Sequence, residues 1–185
     1  HDALPIFDET DREIIVTADR PYKFLYYDYN GNFLREKTSE AFYTEITRTT
    51  DNILAINSKV LEPKHYLSLL NEEDHRITVA KKIPLAFTYR GEFRCRGSYL
   101  LKSEHLYFTQ NGDYTIYSWD NNRIKPVVTV DFGKYSYNPT QLNEEPHAPA
   151  TRNKVLSIIN VKEIRSNLFF NTNKIGLFVY NKTRH

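Results

Sequence analysis

The chain has no methionine among its 185 residues, so it carries neither an initiator nor an internal start. Its first residues, His1, Asp2, Ala3, Leu4, Pro5 and Ile6, do not read as a protein start. They are what CACGACGCTCTTCCGATCT, the end of a common sequencing adapter, encodes in one frame, and the leftover T opens a Phe codon where Phe7 follows. Residues 1–6 are therefore expected to be an adapter scar outside the fold, and residues 7–185 the domain, as an environmental gene fragment; a processed N-terminus is the alternative. Cysteine is nearly absent too. Cys95 alone excludes an internal disulfide and reads as a small buried hydrophobe, leaving the redox compartment open. No apolar run nears the ~20 residues needed to cross a bilayer, so no transmembrane segment is expected. Charge of one sign is lacking as well: 25 Lys and Arg stand against 23 Asp and Glu, spread along the whole length. A net charge of +2 argues against a nucleic-acid surface, which would gather its cations on one element.

Motifs with a defined mechanism are also missing. There is no Gly-x-Ser-x-Gly elbow, no His-Glu-x-x-His pair, no glycine-rich phosphate loop, no Cys-x-x-Cys, and no sialidase-type box around Asp113 to Trp119. Long helical patterns are absent. The best helix candidate, Leu67 to Asp74, is short, and its apolar residues run together instead of recurring at three and four.

What is present points to strands. Tyr (14) and Phe (11) are abundant, and they sit among Ile, Val and Thr, which suit a pleated, half-buried surface. Phe24-Leu25-Tyr26-Tyr27 runs through a turn centred on Asn30-Gly31 into Phe33-Leu34, a hairpin whose Asn-Gly pair tolerates positive φ. The arrangement recurs. Tyr66 to Leu70 turns at Asn71 into Arg76 to Val79, Thr115 to Trp119 turns at Asp120 into Ile124 to Val130, and Leu177 to Tyr180 enters Asn181. The first polar turn residues, 28, 71, 120 and 181, are spaced by 43, 49 and 61 residues. The first two spacings match a four-stranded propeller blade of about 40–50 residues. The third contains the proline-bearing, polar stretch Tyr135 to Arg152, read as a loop insertion over 136–152. Further strands are predicted at Glu13–Thr17, Ile53–Ile56, Leu85–Tyr89, Ser98–Leu101, Leu106–Thr109, Val155–Ile159 and Leu168–Phe170. The period favours a radial array; a sandwich or jelly roll is the alternative fold. The fold class predicted is all-β, a propeller fragment of three to four blades of antiparallel four-stranded sheets.

Gly112-Asp113-Tyr114-Thr115-Ile116-Tyr117, leading through Pro126 to Val130-Asp131-Phe132-Gly133-Lys134-Tyr135, resembles the six-bladed, NHL-like β-propeller family of Bacteroides-type bacteria. There an Asp-Thr-Ile-Tyr segment precedes a Pro-containing strand ending in Asp-Phe-Gly; here Tyr114 is inserted. Tyr26 to Phe33 and Leu177 to Thr183 resemble the family's recurrent hairpin, and the likeness runs from about residue 13 onward. The resemblance implies an extracytoplasmic location, as a periplasmic protein or outer-membrane lipoprotein, and a monomer at full length. An incomplete array leaves open edge strands, so the fragment alone is expected to aggregate or fold marginally.

Two clusters carry candidate chemistry. Glu72, Glu73, Asp74 and His75 could serve acid-base or calcium chemistry, but consecutive charges on a hairpin tip point apart and are solvated, so a turn is the simpler reading. His65, His105 and His147 are mutually distant in sequence, with no ligand spacing. The second cluster interleaves Lys81, Lys82, Arg90, Arg94 and Arg96 with Phe87, Tyr89, Phe93 and Tyr99. A strand pair with aromatics inside and Arg outside produces the same alternation. As a surface it offers Tyr89, Arg90, Arg94, Arg96 and Tyr99 for stacking and charge contacts with a sugar, an anion or single-stranded nucleic acid. No catalytic residue, metal or cofactor is expected. The sequence reading is a non-catalytic binding module of the bacterial cell envelope whose partner is a glycan, a peptide or an envelope protein. The alternative is a propeller hydrolase or lactonase with a metal in the central channel, completed by further blades.

Overall fold

The computed structural model describes residues 5–8, 12–19, 21–39, 43–49, 52–57, 67–71, 76–81, 100–103, 105–110, 113–121, 123–136, 153–174 and 176–183. The chain divides into two compact units, His1–Ile83 and Pro84–His185. The first holds two four-stranded antiparallel meanders. One is β1 (Pro5–Asp8), β2 (Glu13–Asp19), β3 (Tyr22–Asp28) and β4 (Phe33–Thr38); the other is β5 (Tyr43–Arg48), β6 (Ile53–Asn57), β7 (Leu67–Leu70) and β8 (Arg76–Lys81). The second unit holds a third four-stranded meander and a three-stranded one. These are β9 (Leu100–Lys102), β10 (Leu106–Gln110), β11 (Asp113–Asp120) and β12 (Arg123–Thr129), then β13 (Ile158–Ile164), β14 (Asn167–Thr172) and β15 (Leu177–Asn181).

Each of the four turn residues used to find the repeat closes a third strand: Asp28 ends β3, Asn71 follows β7, Asp120 ends β11 and Asn181 ends β15. The period seen in the sequence is thus the period of the sheets. Where one face of a strand is buried the period-two pattern is clean, as in β14, whose alternate residues Leu168, Phe170 and Thr172 are buried. Strand β7 has no such alternation because all four of its residues are buried; packing on both faces demands a continuous apolar run. That is why the stretch from Leu67 offered apolar residues running together, and it is a strand.

The sequence missed β5. Among its described side chains Tyr43 and Ile46 lie in the core, an odd spacing for a strand, because the register shifts between Tyr43 and Glu45 and the bulge reverses the facing of the residues after it. The strand expected at Val155–Ile159 lies further on. Val155 makes only an isolated bridge to Ser136, and the N–H groups of Leu156 and Ser157 donate to Asn173 Oδ1 at 2.7 and 3.2 Å, so the ladder starts at Ile158. Strand β12 carries Pro126, which no central strand tolerates. It lies at a sheet edge, and the register slips beside it, between Ile116 and Tyr117 of β11.

In each unit the core lies where two sheets meet. In the first, Ile15, Phe24 and Tyr26 pack with Tyr43, Ile46, Ile53, Ala55 and Leu70, and the rings of Phe24 and Tyr43 stack at 5.8 Å. In the second, Tyr107 and Ile116 pack with Ile158, Val161, Leu168 and Phe170, and Phe132 bridges Tyr114 and Phe178 edge-on at 5.1 and 5.8 Å.

Candidate functional site

The densest polar constellation among the described residues forms where the third sheet meets the fourth, around Glu163. β13 turns Ile158 before its bulge, and Val161 and Glu163 after it, toward the buried side of Leu168 and Phe170, and exposes Asn160, Lys162 and Ile164. A carboxylate is thereby inside and an isoleucine outside. The parity comes from the bulge between Ile159 and Lys162, where Asn160 adopts φ +55°, a left-handed conformation that Asn tolerates better than most residues.

Burying an ionised carboxylate is costly unless hydrogen bonds replace its water, and here both oxygens are engaged. Glu163 Oε2 accepts from the Tyr107 hydroxyl at 2.7 Å and lies 2.6 Å from His105 Nδ1, which donates its proton to it. Oε1 accepts from the ammonium of Lys182, on the turn after β15. Ser103 fastens the backbone of the same residue, its Oγ donating to Glu163 O at 3.0 Å and accepting from Glu163 N at 3.2 Å. The Glu163 side chain is 1% exposed and that of His105 59%, so the imidazole is the solvent-facing side of a closed cluster. Lower on the same junction, Thr109 Oγ1 donates to Ile158 O at 2.8 Å.

The first unit has a counterpart. Glu13, at the entrance of β2, is gripped by Arg35 of β4 through both oxygens at 2.5 and 2.9 Å, and Arg48 at the end of β5 lies 3.9 Å away. Arg35 also lies over the Tyr26 ring at 4.1 Å, a cation–π contact that orients the guanidinium.

The sequence did not single out Glu163, and it treated His105 as isolated. A pair 58 residues apart leaves no local spacing to read. Tyr89, Arg90, Arg94, Arg96 and Tyr99 lie outside the described residues, as do Glu72 to His75 and residues 137–152. Among the described residues no group of three or more His, Cys, Asp or Glu is placed to hold a metal ion, and no helix is long and apolar enough to cross a membrane.

Antiparallel meanders that follow one another along the chain and pack face against face within each unit are the blades of a β-propeller, here three of four strands and one of three among the described residues. Comparison with known proteins agrees. A family described as 6-bladed beta-propeller matches residues 6–185, and the chain belongs to that family. Its fold is similar to the crystal structure of a Bacteroides fragilis protein described, provisionally, as exported: TM-score 0.69 at 16% identity, over 97% of this chain and 55% of that one. The chain therefore spans about half the length of that protein. It is also similar to the computationally designed Ika4 protein, with TM-score 0.52 at 7% identity, over 98% of this chain and 92% of the other. No curated protein matches.

Proposed function

We propose that the chain is part of a non-catalytic binding module that works outside the cytoplasm, in the bacterial cell envelope, with a glycan, a peptide or an envelope protein as its ligand. The observation that carries this reading is the fate of the buried carboxylates. A general base or nucleophile must reach its substrate, whereas Glu163 has both oxygens occupied and a side chain 1% exposed, and Glu13 is held by Arg35. Both serve the scaffold. The similarity to the Bacteroides fragilis protein supports the compartment.

In this reading ligand contact falls to surface residues, and Tyr89, Arg90, Arg94, Arg96 and Tyr99 are the candidates. Rings and guanidinium groups in alternation suit stacking on a sugar or pairing with an anionic group. The test uses the full-length gene product. A screen of glycans and peptides is expected to yield a binder that the triple variant R90A/R94A/R96A loses by about tenfold or more, with the melting temperature unchanged. Binding unaffected by the triple change would remove these residues from the site. Turnover of lactones, esters or glycosides at enzymatic rates would overturn the non-catalytic reading.

A further inference from the structure

The two described blade junctions place their charges at the same register positions, in opposite order. The second strand of each sheet enters at a polar residue one position before its first apolar pair: Glu13 opposite Asp28, Asn52 before Ile53↔Leu70, His105 before Leu106↔Trp119, and Asn167 opposite Asn181. On the first strand of each sheet the residue opposite the position one further in is Phe7, opposite Ile14, Arg48, opposite Ile53, Lys102, opposite Leu106, and Glu163, opposite Leu168. Glu13 is thus equivalent to His105, and Arg48 to Glu163. In the first unit the acid stands on the leading blade and the donor on the following one. In the second unit the donor leads and the acid follows.

We propose that these two pairs are address marks that decide which blade packs on which. If the following blades were exchanged, Glu163 would meet Glu13, setting two carboxylates against each other in a buried place. Arg48 would meet His105 and have no carboxylate from the neighbouring blade. Each acid also draws a cation from its own blade, Arg35 from β4 and Lys182 from the turn after β15, so the carboxylate is held in place before the neighbour arrives. The neighbour's residue then supplies the discrimination. A buried ion pair is a weak source of net stability compared with an apolar pair, but fixing register is its best-attested use, and repulsion in the wrong pairing is how specificity is gained. A chain of similar blades needs such a device, because misassembly and swapping between repeats are its characteristic failures. Asn52 and Asn167, at the positions equivalent to Glu13 and His105, are neutral.

The test uses the full-length protein and two readouts, the thermal midpoint and the fraction of monomer recovered after refolding, measured by size exclusion. Arg48→Glu is expected to lower the midpoint by about 10 °C, as for a broken buried pair, and adding Glu13→His, which copies the order of the other junction, to recover most of that loss. No recovery in the double variant would overturn the proposal. Should Arg48→Glu fail to fold, the neutral pair Glu13→Gln/Arg48→Met serves instead. It is expected to keep a cooperative melt but to lose refolded monomer to swapped and aggregated species. Refolding to monomer as completely as the parent would overturn the proposal equally.

Discussion

The junction between the first two sheets and that between the last two solve one packing problem with different chemistry. Two residues beyond the equivalent positions Glu13 and His105 stand Ile15 and Tyr107, both buried. Two further on stand Thr17 and Thr109, buried as well. The facing strands begin at Tyr43, opposite Asn57, and at Ile158, opposite Thr172. In the first unit Tyr43 of the following blade stacks on Phe24 of the leading one, and the leading blade's second strand is aliphatic at Ile15. In the second unit the ring sits on the leading strand, and its hydroxyl reaches the carboxylate that the following blade supplies. The repeat fixes backbone register and which positions are buried. It leaves open which partner brings charge, and two solutions coexist in one chain.

The largest expected effect tests the weight of the two carboxylates. Glu163→Ala takes the acceptor away from the buried Tyr107 hydroxyl and from Lys182, whose side chain is 30% exposed, and removing one member of such a cluster costs about 3–5 kcal/mol. Glu13→Ala releases Arg35, whose side chain is 43% exposed, to water and leaves the mostly buried Arg48 without that carboxylate, so its cost should be the smaller, about 2–3 kcal/mol. Urea unfolding of the parent and both variants, with the slope m held constant as the check on two-state behaviour, measures the difference. Equal losses would mean that the Glu163 cluster adds nothing beyond the first unit's pair.

Next in size are the two threonines. Thr109 Oγ1 donates across the junction to Ile158 O, whereas Thr17 Oγ1 is buried with no hydrogen-bond partner among the described residues. Thr109→Val should therefore cost about 1 kcal/mol. Thr17→Val keeps the shape and removes an uncompensated polar atom, so it should be neutral or stabilising by a few tenths to about 1 kcal/mol. The same unfolding measurement ranks them, and a loss in Thr17→Val as large as in Thr109→Val would show that Thr17 has a partner after all.

How much of this was legible in the sequence follows from the range of the interactions. Third strands and their turns were readable because Tyr26 to Phe33 and Thr115 to Trp119 carry turn residues and alternation within a dozen positions. β5 was not, because a bulge broke its alternation, and β13 was placed early because Val155 and Leu156 look like strand residues while their backbone is spent elsewhere. The Glu163 cluster was invisible for a further reason. Val161-Lys162-Glu163-Ile164 reads most simply with Ile164 inward, and only the bulge at Asn160, together with a sheet more than 50 residues upstream, turns the carboxylate in. The hairpin at Asn30-Gly31 was anticipated from backbone tolerance, and Gly31 does take φ +83°. What fastens it is a side chain instead: Asp28 Oδ1 accepts from the N–H groups of Asn30 and Asn32 at 2.9 and 2.8 Å, and Oδ2 from Asn32 Nδ2 at 2.8 Å.

That turn gives the smallest effect and the one with a pH signature. Asp120, its equivalent in the third sheet, instead pairs with Lys125 at 2.5 Å on the surface, in a two-residue turn where Asn121 takes φ +49°. The Asn32 side chain, and then the backbone N–H groups of Asn32 and Asn30, hold the Asp28 carboxyl below its ordinary value. A carboxylate whose folded pKa lies below its unfolded one adds stability that is present above the unfolded value and is lost as pH falls through the folded value. Parent and Asp28→Asn should accordingly differ slightly at neutral pH, in favour of the parent, and their unfolding midpoints should converge as the pH drops below the usual carboxylate range. Asp120→Asn, by contrast, breaks only an exposed ion pair and should stay within about 0.5 kcal/mol of the parent. A gap between parent and Asp28→Asn that persists unchanged at low pH would mean that the turn depends on the shape of Asp28 and not on its charge.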